Sequence, residues 1–377
     1  MTPASAPAVL QVLPALNAGG VERGTIEIAE ALAREGFRPL VASAGGRLVP
    51  ELEAVGARHV ALPLDRKSPA ALLGNAAALG RLIAAEGVRI VHARSRFPAW
   101  SALPAARRGG ARFVTTYHGA YNEGFPGKRL YNSVMARGER VIAISHFIAD
   151  LVRARHGVEA ARLRIIPRGV DLRRFDPAAV APARVAALRA AWGVPEGRPV
   201  LFLPARISRW KGQGVLLEAM ARLPAPRPFA ILAGDPGRGT YDSELRGRVA
   251  ALGLGADVVL PGAGDDMPAA LLLADIVLHA STDAEAFGRT VIEAQAMARP
   301  VIAADLGGPR ETVLEGETGW RVPPGDPAAL AAAILRVLAM PPEARAAVGA
   351  AAQAMARARY TTAAMQDATL AVYRELL

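Results

Sequence analysis

Three features of the sequence predict an α/β fold made of two doubly wound domains. The chain has 377 residues, more than the roughly 250–300 at which a single hydrophobic core stops growing. Short, nearly continuous apolar runs alternate with helical stretches, as in parallel strands covered on both faces. The alternation then starts again after Asp176-Pro-Ala-Ala-Val-Ala-Pro-Ala, whose composition is that of a linker.

In the first half the strand candidates are 9–13, 39–43, 59–62, 90–93, 113–118, 141–145 and 164–167, with helices at about 21–34, 69–85, 98–107, 127–137 and 146–155. In the second half the strands are 199–204, 229–233, 258–261, 276–280, 301–304 and 320–322. Helices at about 212–222, 242–252, 266–273, 289–298 and 327–339 separate them. Pro341-Pro342 precedes a helical tail. The expected division is 1–178 for an N-terminal domain, 179–358 for a C-terminal domain and 359–377 for a terminal helix. Open α/β sheets bind ligands outside the carboxyl ends of their strands, so two sheets facing across a cleft would offer two half-sites.

Composition narrows the chemistry. There is no cysteine, which removes disulfides and thiolate metal sites. The six histidines contain no pair at metal-ligand spacing, so no metal site is expected. The N-terminus lacks the Lys or Arg of a signal peptide, and no 18-residue uncharged apolar stretch has helical character. A soluble cytoplasmic protein is expected. The net charge of +11 is uneven. Residues 1–178 hold 25 Lys+Arg against 14 Asp+Glu, whereas 179–377 hold 20 of each. That asymmetry suits an anionic partner meeting the first half only. The candidates are a membrane surface, an anionic lipid-linked acceptor or nucleic acid.

Candidate functional residues fall just after strands. Gly19-Gly20-Val-Glu-Arg opens the first helix, where glycines permit close backbone approach and free N–H groups can meet an anion. His118-Gly119 ends strand 113–118. Arg206 follows strand 199–204, and Lys211-Gly212 opens the next helix. A guanidinium, an ammonium and a helix N-terminus together suit a diphosphate. The most specific pattern is Ser281-Thr-Asp-Ala-Glu285-Ala-Phe287-Gly288-Arg289-Thr290-Val-Ile-Glu293. If a helix begins near Gly288, the N–H groups of 288–290 can meet phosphate. Glu285 and Glu293 can then accept hydrogen bonds from a polyol.

Taken in order, these motifs resemble the GT-B glycosyltransferases of family 4, the retaining group. So do Ile166-Pro-Arg-Gly-Val-Asp, Ala233-Gly234-Asp235, Gly307-Gly308-Pro-Arg-Glu311 and Thr318-Gly319. The resemblance spans almost the whole chain and implies roles. Arg206 and Lys211 would bind the donor diphosphate and offset charge on the leaving nucleotide. Glu293 would hold the ribose. Glu285, with the backbone of Phe287 and Gly288, would hold the donor sugar, and Arg289 and Thr290 would line the phosphates. His118 would sit by the donor sugar near the reaction centre, and Gly19 and Gly20 would face the phosphates across the cleft. Gly262 and Ala263 would flank the base, and the terminal helix would cross back to the N-terminal domain. His118, Glu285, Arg206 and Lys211 form the implied catalytic set. The nucleotide sugar is a co-substrate, and neither cofactor nor metal is implied. Arg168 stands where the family commonly has Asn, and is read as part of the basic face.

The stretch 125–140 reads as a basic amphipathic helix, with Arg94, Arg96, Arg107, Arg108 and Arg112 adding charge nearby. Peripheral contact with the inner face of a membrane follows as an expectation, with a saccharide or lipid-linked acceptor of the lipopolysaccharide type. UDP-hexose is the expected donor and GDP-mannose the second. An NAD-dependent oxidoreductase is the rival enzyme reading, but the Gly-x-Gly-x-x-Gly fingerprint is missing. A non-catalytic two-lobed binder and a nucleic-acid binder are the rival binding readings. Aromatics at 5% argue against stacking on single strands.

Overall fold

The apolar runs build two parallel sheets in the computed structural model, which describes residues 6–17, 19–237 and 239–377. Contacts divide the chain into two units. Unit 1 runs through Arg168 and takes in Thr362–Leu377, and unit 2 is Gly169–Thr361.

The unit 1 strands are β1 (Ala8–Val12), β2 (Arg38–Ser43), β3 (Arg58–Ala61), β4 (Val88–Ala93), β5 (Arg112–Tyr117), β6 (Arg140–Ala143) and β7 (Leu163–Ile165). They lie parallel in the order β3-β2-β1-β4-β5-β6-β7. The order reverses between β1 and β4, and at such a switch point neighbouring crossovers leave the sheet on opposite faces and open a crevice. Val9, Ile90, Val114 and Ile142 on one face are covered by Ile28 and Leu32 of helix Gly20–Arg34 and by Met365, Leu370 and Tyr373 of helix Thr362–Arg374. The terminal helix thus completes the core of unit 1.

Unit 2 contains β8 (Val200–Pro204), β9 (Phe229–Ala233), β10 (Val258–Gly262), β11 (Ile276–His279), β12 (Val301–Ala304) and β13 (Trp320–Val322). Their order is β10-β9-β8-β11-β12-β13, again parallel, with the switch between β8 and β11. Several helix starts carry side-chain caps. Ser145 accepts from the Ile148 N–H, Asp266 from Ala269, and Asp326 from Ala328 and Ala329.

The helices depart from expectation in places. The linker candidate 176–183 runs into a helix that was not expected, Pro182–Ala191. Pro suits a first helical turn and Ala is the best helix former, so linker-like composition and a Pro-started helix look alike in sequence. The expected helix at 127–137 is a short one, Lys128–Ser133, followed by a 3-10 turn through Ala136. A side chain at Gly138 would press on the carbonyl of Arg140, so the chain turns sharply there into β6. Short helices Val49–Ala54 and Pro309–Thr312 were not expected.

The tail is two helices, Pro342–Arg359 and Thr362–Arg374, parted at Tyr360-Thr361. The Val170 N–H donates to the Tyr360 carbonyl at 2.8 Å, and Val170 pairs with Thr361. The two crossing segments therefore run side by side. This places the passages between units at 168/169 and 361/362, where 178/179 and 358/359 were expected.

Candidate functional site

In unit 2 the switch point brings two loops together. Arg206 follows β8, and the loop 281–288 follows β11, the strand beside it. Between β8 and helix Gln213–Arg222, a 3-10 turn Arg209–Lys211 delivers Lys211. Gly212 makes this possible. Its φ is 78°, and a Cβ there would overlap the carbonyl oxygen of Ala280 at the end of β11. The Lys211 ammonium consequently reaches the Glu285 carboxylate and also lies 4.3 Å from the Trp210 ring centre.

Glu285 is the hub. Its Oε1 accepts from Lys211 Nζ and, at 2.7 Å, from the Ser281 hydroxyl. His279 Nε2 lies 3.0 Å from the same oxygen but off the line of a hydrogen bond, and neither ring nitrogen of this buried histidine has a hydrogen-bond partner. Burial alone would raise the Glu285 carboxyl. His279 and Lys211 outweigh it and hold the group far below the usual carboxylate range. All three contacts fall on Oε1, which leaves Oε2 to accept from a ligand hydroxyl.

The backbone fixes this loop. The Gly308 N–H donates to the Glu285 carbonyl at 2.8 Å, and Glu285 pairs with Gly307 as an isolated bridge. A Cβ on Gly307 or Gly308 would press into Glu285 or Phe287 backbone. The Phe287 side chain is 3% exposed and meets Tyr360 edge-on at 5.6 Å, so only its backbone is available to a ligand. Gly288, with φ 81°, precedes helix Arg289–Ala296 without a side-chain cap. The N–H groups of Arg289 and Thr290 thus lie in the first turn, where intrahelical partners are absent. Glu293 is one turn further on, with Arg289 Nε 3.6 Å from its Oε1. Gly262 ends β10 with φ 85°, and Ala263 beside it is exposed. The Arg206 side chain is exposed and has no hydrogen bond or ion pair among the described residues.

In unit 1, helix Gly20–Arg34 starts at Gly20 after Gly19 at φ 125°, again with no side-chain cap. Ala18 lies outside the described residues. Glu22 sits over this turn, and a Cβ on Gly19 would come within 2.8 Å of its carboxylate. Burial raises the Glu22 carboxyl. His118 follows β5, and burial, then Arg94, then Arg168 lower its imidazole well below the ordinary value. Its Nε2 is buried without a partner.

Two arginines assigned to the basic face are instead buried. Arg94 is 3% exposed and Arg168 is 5% exposed. Arg168 donates to the Gly20 carbonyl and lies 3.8 Å from Glu27, and its guanidinium fills the space that a side chain on Gly24 would need. It braces the first helix rather than adding to surface charge.

Comparison with known proteins identifies the family. The model of Glycosyltransferase Family 4 matches residues 18–174, and that of Glycosyl transferases group 1 matches 185–355. A glycosyltransferase crystal structure from Rickettsia africae is 35% identical, with a TM-score of 0.91 over 98% of each chain. Anabaena HepE, solved in complex with UDP and glucose, is 27% identical, with a TM-score of 0.86 over 98% of this chain and 99% of that one. The D-inositol 3-phosphate glycosyltransferase of Kineococcus radiotolerans is 38% identical over 238 residues, 58% of this chain and 53% of that one. The chain therefore spans about half the length of that relative. The chain belongs to the GT-B glycosyltransferases of family 4.

Within this glycosyltransferase, the sequence reading singled out Lys211, Glu285, Gly288, Arg289 and Glu293, which the structure brings to neighbouring segments of unit 2, but not the side chains around Glu285. Ser281 was quoted without a role. His279 read as the end of an apolar strand, and its only sequence signal was a polar residue in that run. In unit 1 the missed feature is a buried polar row. His92 bonds Tyr373 Oη through Nδ1 at 2.6 Å and Thr116 Oγ1 through Nε2 at 2.7 Å.

Burial first, and then Arg94, lower His92 well below the ordinary histidine value, so it stays neutral in the folded chain. Unfolded histidine takes up a proton below about pH 6.5. The contribution of His92 is therefore complete above that pH and is lost as pH falls below it. We expect the wild-type denaturation midpoint to fall between about pH 7.5 and about pH 5, and His92→Asn to make that fall shallower. An equal slope in the variant would contradict this assignment.

Proposed function

We propose that this glycosyltransferase moves a hexosyl unit from a nucleotide sugar, UDP-hexose first and GDP-mannose second, onto a saccharide or lipid-linked acceptor of a cell-envelope glycan. We place it in the cytoplasm, as an enzyme that retains anomeric configuration and needs no metal. The observation that carries the reading is the convergence of Lys211 and Ser281 on one oxygen of Glu285, next to an uncapped helix start. This constellation suits a polyol linked to a diphosphate.

Breaking a glycosyl–phosphate bond builds negative charge on the departing diphosphate and positive charge on the sugar. Arg206 and Lys211, with the N–H groups that open helix Arg289–Ala296, answer the first. Lys211, paired with Glu285 in the free protein, exchanges onto phosphate, while Ser281 and His279 remain beside the carboxylate. Glu285 Oε2 takes a sugar hydroxyl, and Glu293 takes the ribose. UDP is favoured as the carrier because HepE was solved with UDP and glucose.

The acceptor side rests on unit 1. Phe125 and Leu130, 59% and 63% exposed, flank Lys128 and Arg129. Apolar side chains that insert and cations that attract suit an anionic bilayer, at about 1 kcal/mol per basic residue near the surface.

A donor-hydrolysis screen across UDP-, GDP-, ADP- and TDP-sugars tests the reaction. Turnover of a UDP-hexose is expected, and Arg206→Ala or Lys211→Ala should lower it roughly 10²–10³-fold. Consumption of no nucleotide sugar at all would refute the reading. Flotation tests the membrane. The protein should rise with anionic liposomes at low salt and be released as salt screens the attraction. A protein that stays at the bottom at low salt would rule the contact out.

A further inference from the structure

Arg94 is the buried group that the proposed reaction leaves unused. It directly follows β4, and His118 directly follows β5, the paired neighbour of β4. Residues two apart along a strand share a face, so Arg94 continues the row of His92, and His118 continues the row of Thr116. The hydrogen bond between His92 and Thr116 shows that these rows lie on the same face. Arg94 and His118 thus cap one polar column at the carboxyl edge of the sheet. Arg94 stands at the β1–β4 switch point, where a doubly wound sheet opens its crevice.

A guanidinium carries five donors and is always charged, so burying it without acceptors is costly. Arg94 is 3% exposed, and its Nε and Nη2 are buried without partners. Its side chain has no hydrogen bond or ion pair among the described residues. Glu27 and Glu22 are near enough to favour its charged form, but neither bonds it, and Glu27 lies beside Arg168. Because Glu22 already covers the helix start, that terminus is not the anion's seat. The unpartnered Nε2 of His118 adds a second polar atom at the same edge.

We propose that unit 1 holds an oxyanion site centred on the Arg94 guanidinium, with His118 beside it, and that its occupant is a phosphate or carboxylate group borne by the acceptor. The identity of the occupant as acceptor rests on the glycosyltransfer reading above. The planar fork of Arg matches either group through two parallel hydrogen bonds. The site selects acceptors that carry acid over their neutral counterparts.

Calorimetric titration of glucose 6-phosphate, glucuronate and glucose tests the site without any donor, so its result is independent of donor turnover. The host is the full chain carrying Lys211→Ala, which weakens the hold of unit 2 on phosphate. At least one of the two acids should bind roughly ten- to a hundredfold tighter than glucose, and which of them does so identifies the group. Adding Arg94→Gln should abolish the preference. Arg94→Lys, which keeps the charge but loses the fork, should retain only part of it and decides the matter if the glutamine variant does not fold. Acids that bind no tighter than glucose, or a preference undiminished by either substitution, would overturn the proposal.

Discussion

The ion pair between Lys211 and Glu285 is the contact on which the loops proposed to hold the donor depend. It ties the loop after β8 to the loop after β11, the two strands that flank the switch point of unit 2. Both side chains are largely buried, with 18% and 13% exposure. Removing one partner of such a pair costs about 3–5 kcal/mol when the other charge stays behind. Under the proposed function, the free protein stores the ammonium meant for phosphate against the carboxylate meant for the sugar, and a nucleotide sugar would offer each a replacement partner. In that proposed exchange Ser281 and His279 would stay beside Glu285 when the ammonium leaves.

Unit 1 is organised differently. Its sheet buries a polar column, His92 between Tyr373 and Thr116, that ends in Arg94 and His118. The terminal helix supplies Tyr373, so the last residues of the chain help to orient side chains at the carboxyl edge of β4 and β5. Burial and the neighbouring arginines keep both histidines neutral. His118 is therefore suited to accept or donate a single hydrogen bond rather than to carry charge.

The strands were legible in the sequence because parallel strands buried on both faces leave apolar runs with few competing interpretations. Motifs set directly after those strands inherited that accuracy, so Lys211, Glu285 and Gly288 fell where expected. Helix ends were less legible. Pro182 begins a helix where its composition suggested a linker, and the tail breaks at Tyr360-Thr361 because Val170 pairs with it, a contact about 190 residues away in sequence. Arg94 and Arg168 were misplaced on the surface for a related reason. Composition counts charges, but only the fold decides which of them end inside. His279 gave only a weak cue, since one histidine closing an apolar strand reads as an ordinary core residue.

Calorimetry with the donor and with its bare nucleoside diphosphate, on wild type and on Glu285→Gln, separates the two roles assigned to unit 2. The account predicts that Glu285→Gln binds the bare diphosphate at least as tightly as wild type, because Lys211 is released, while the extra affinity contributed by the sugar is lost. If the variant weakens both ligands equally, or keeps the full increment for the sugar, Glu285 does not hold the sugar and the account is wrong.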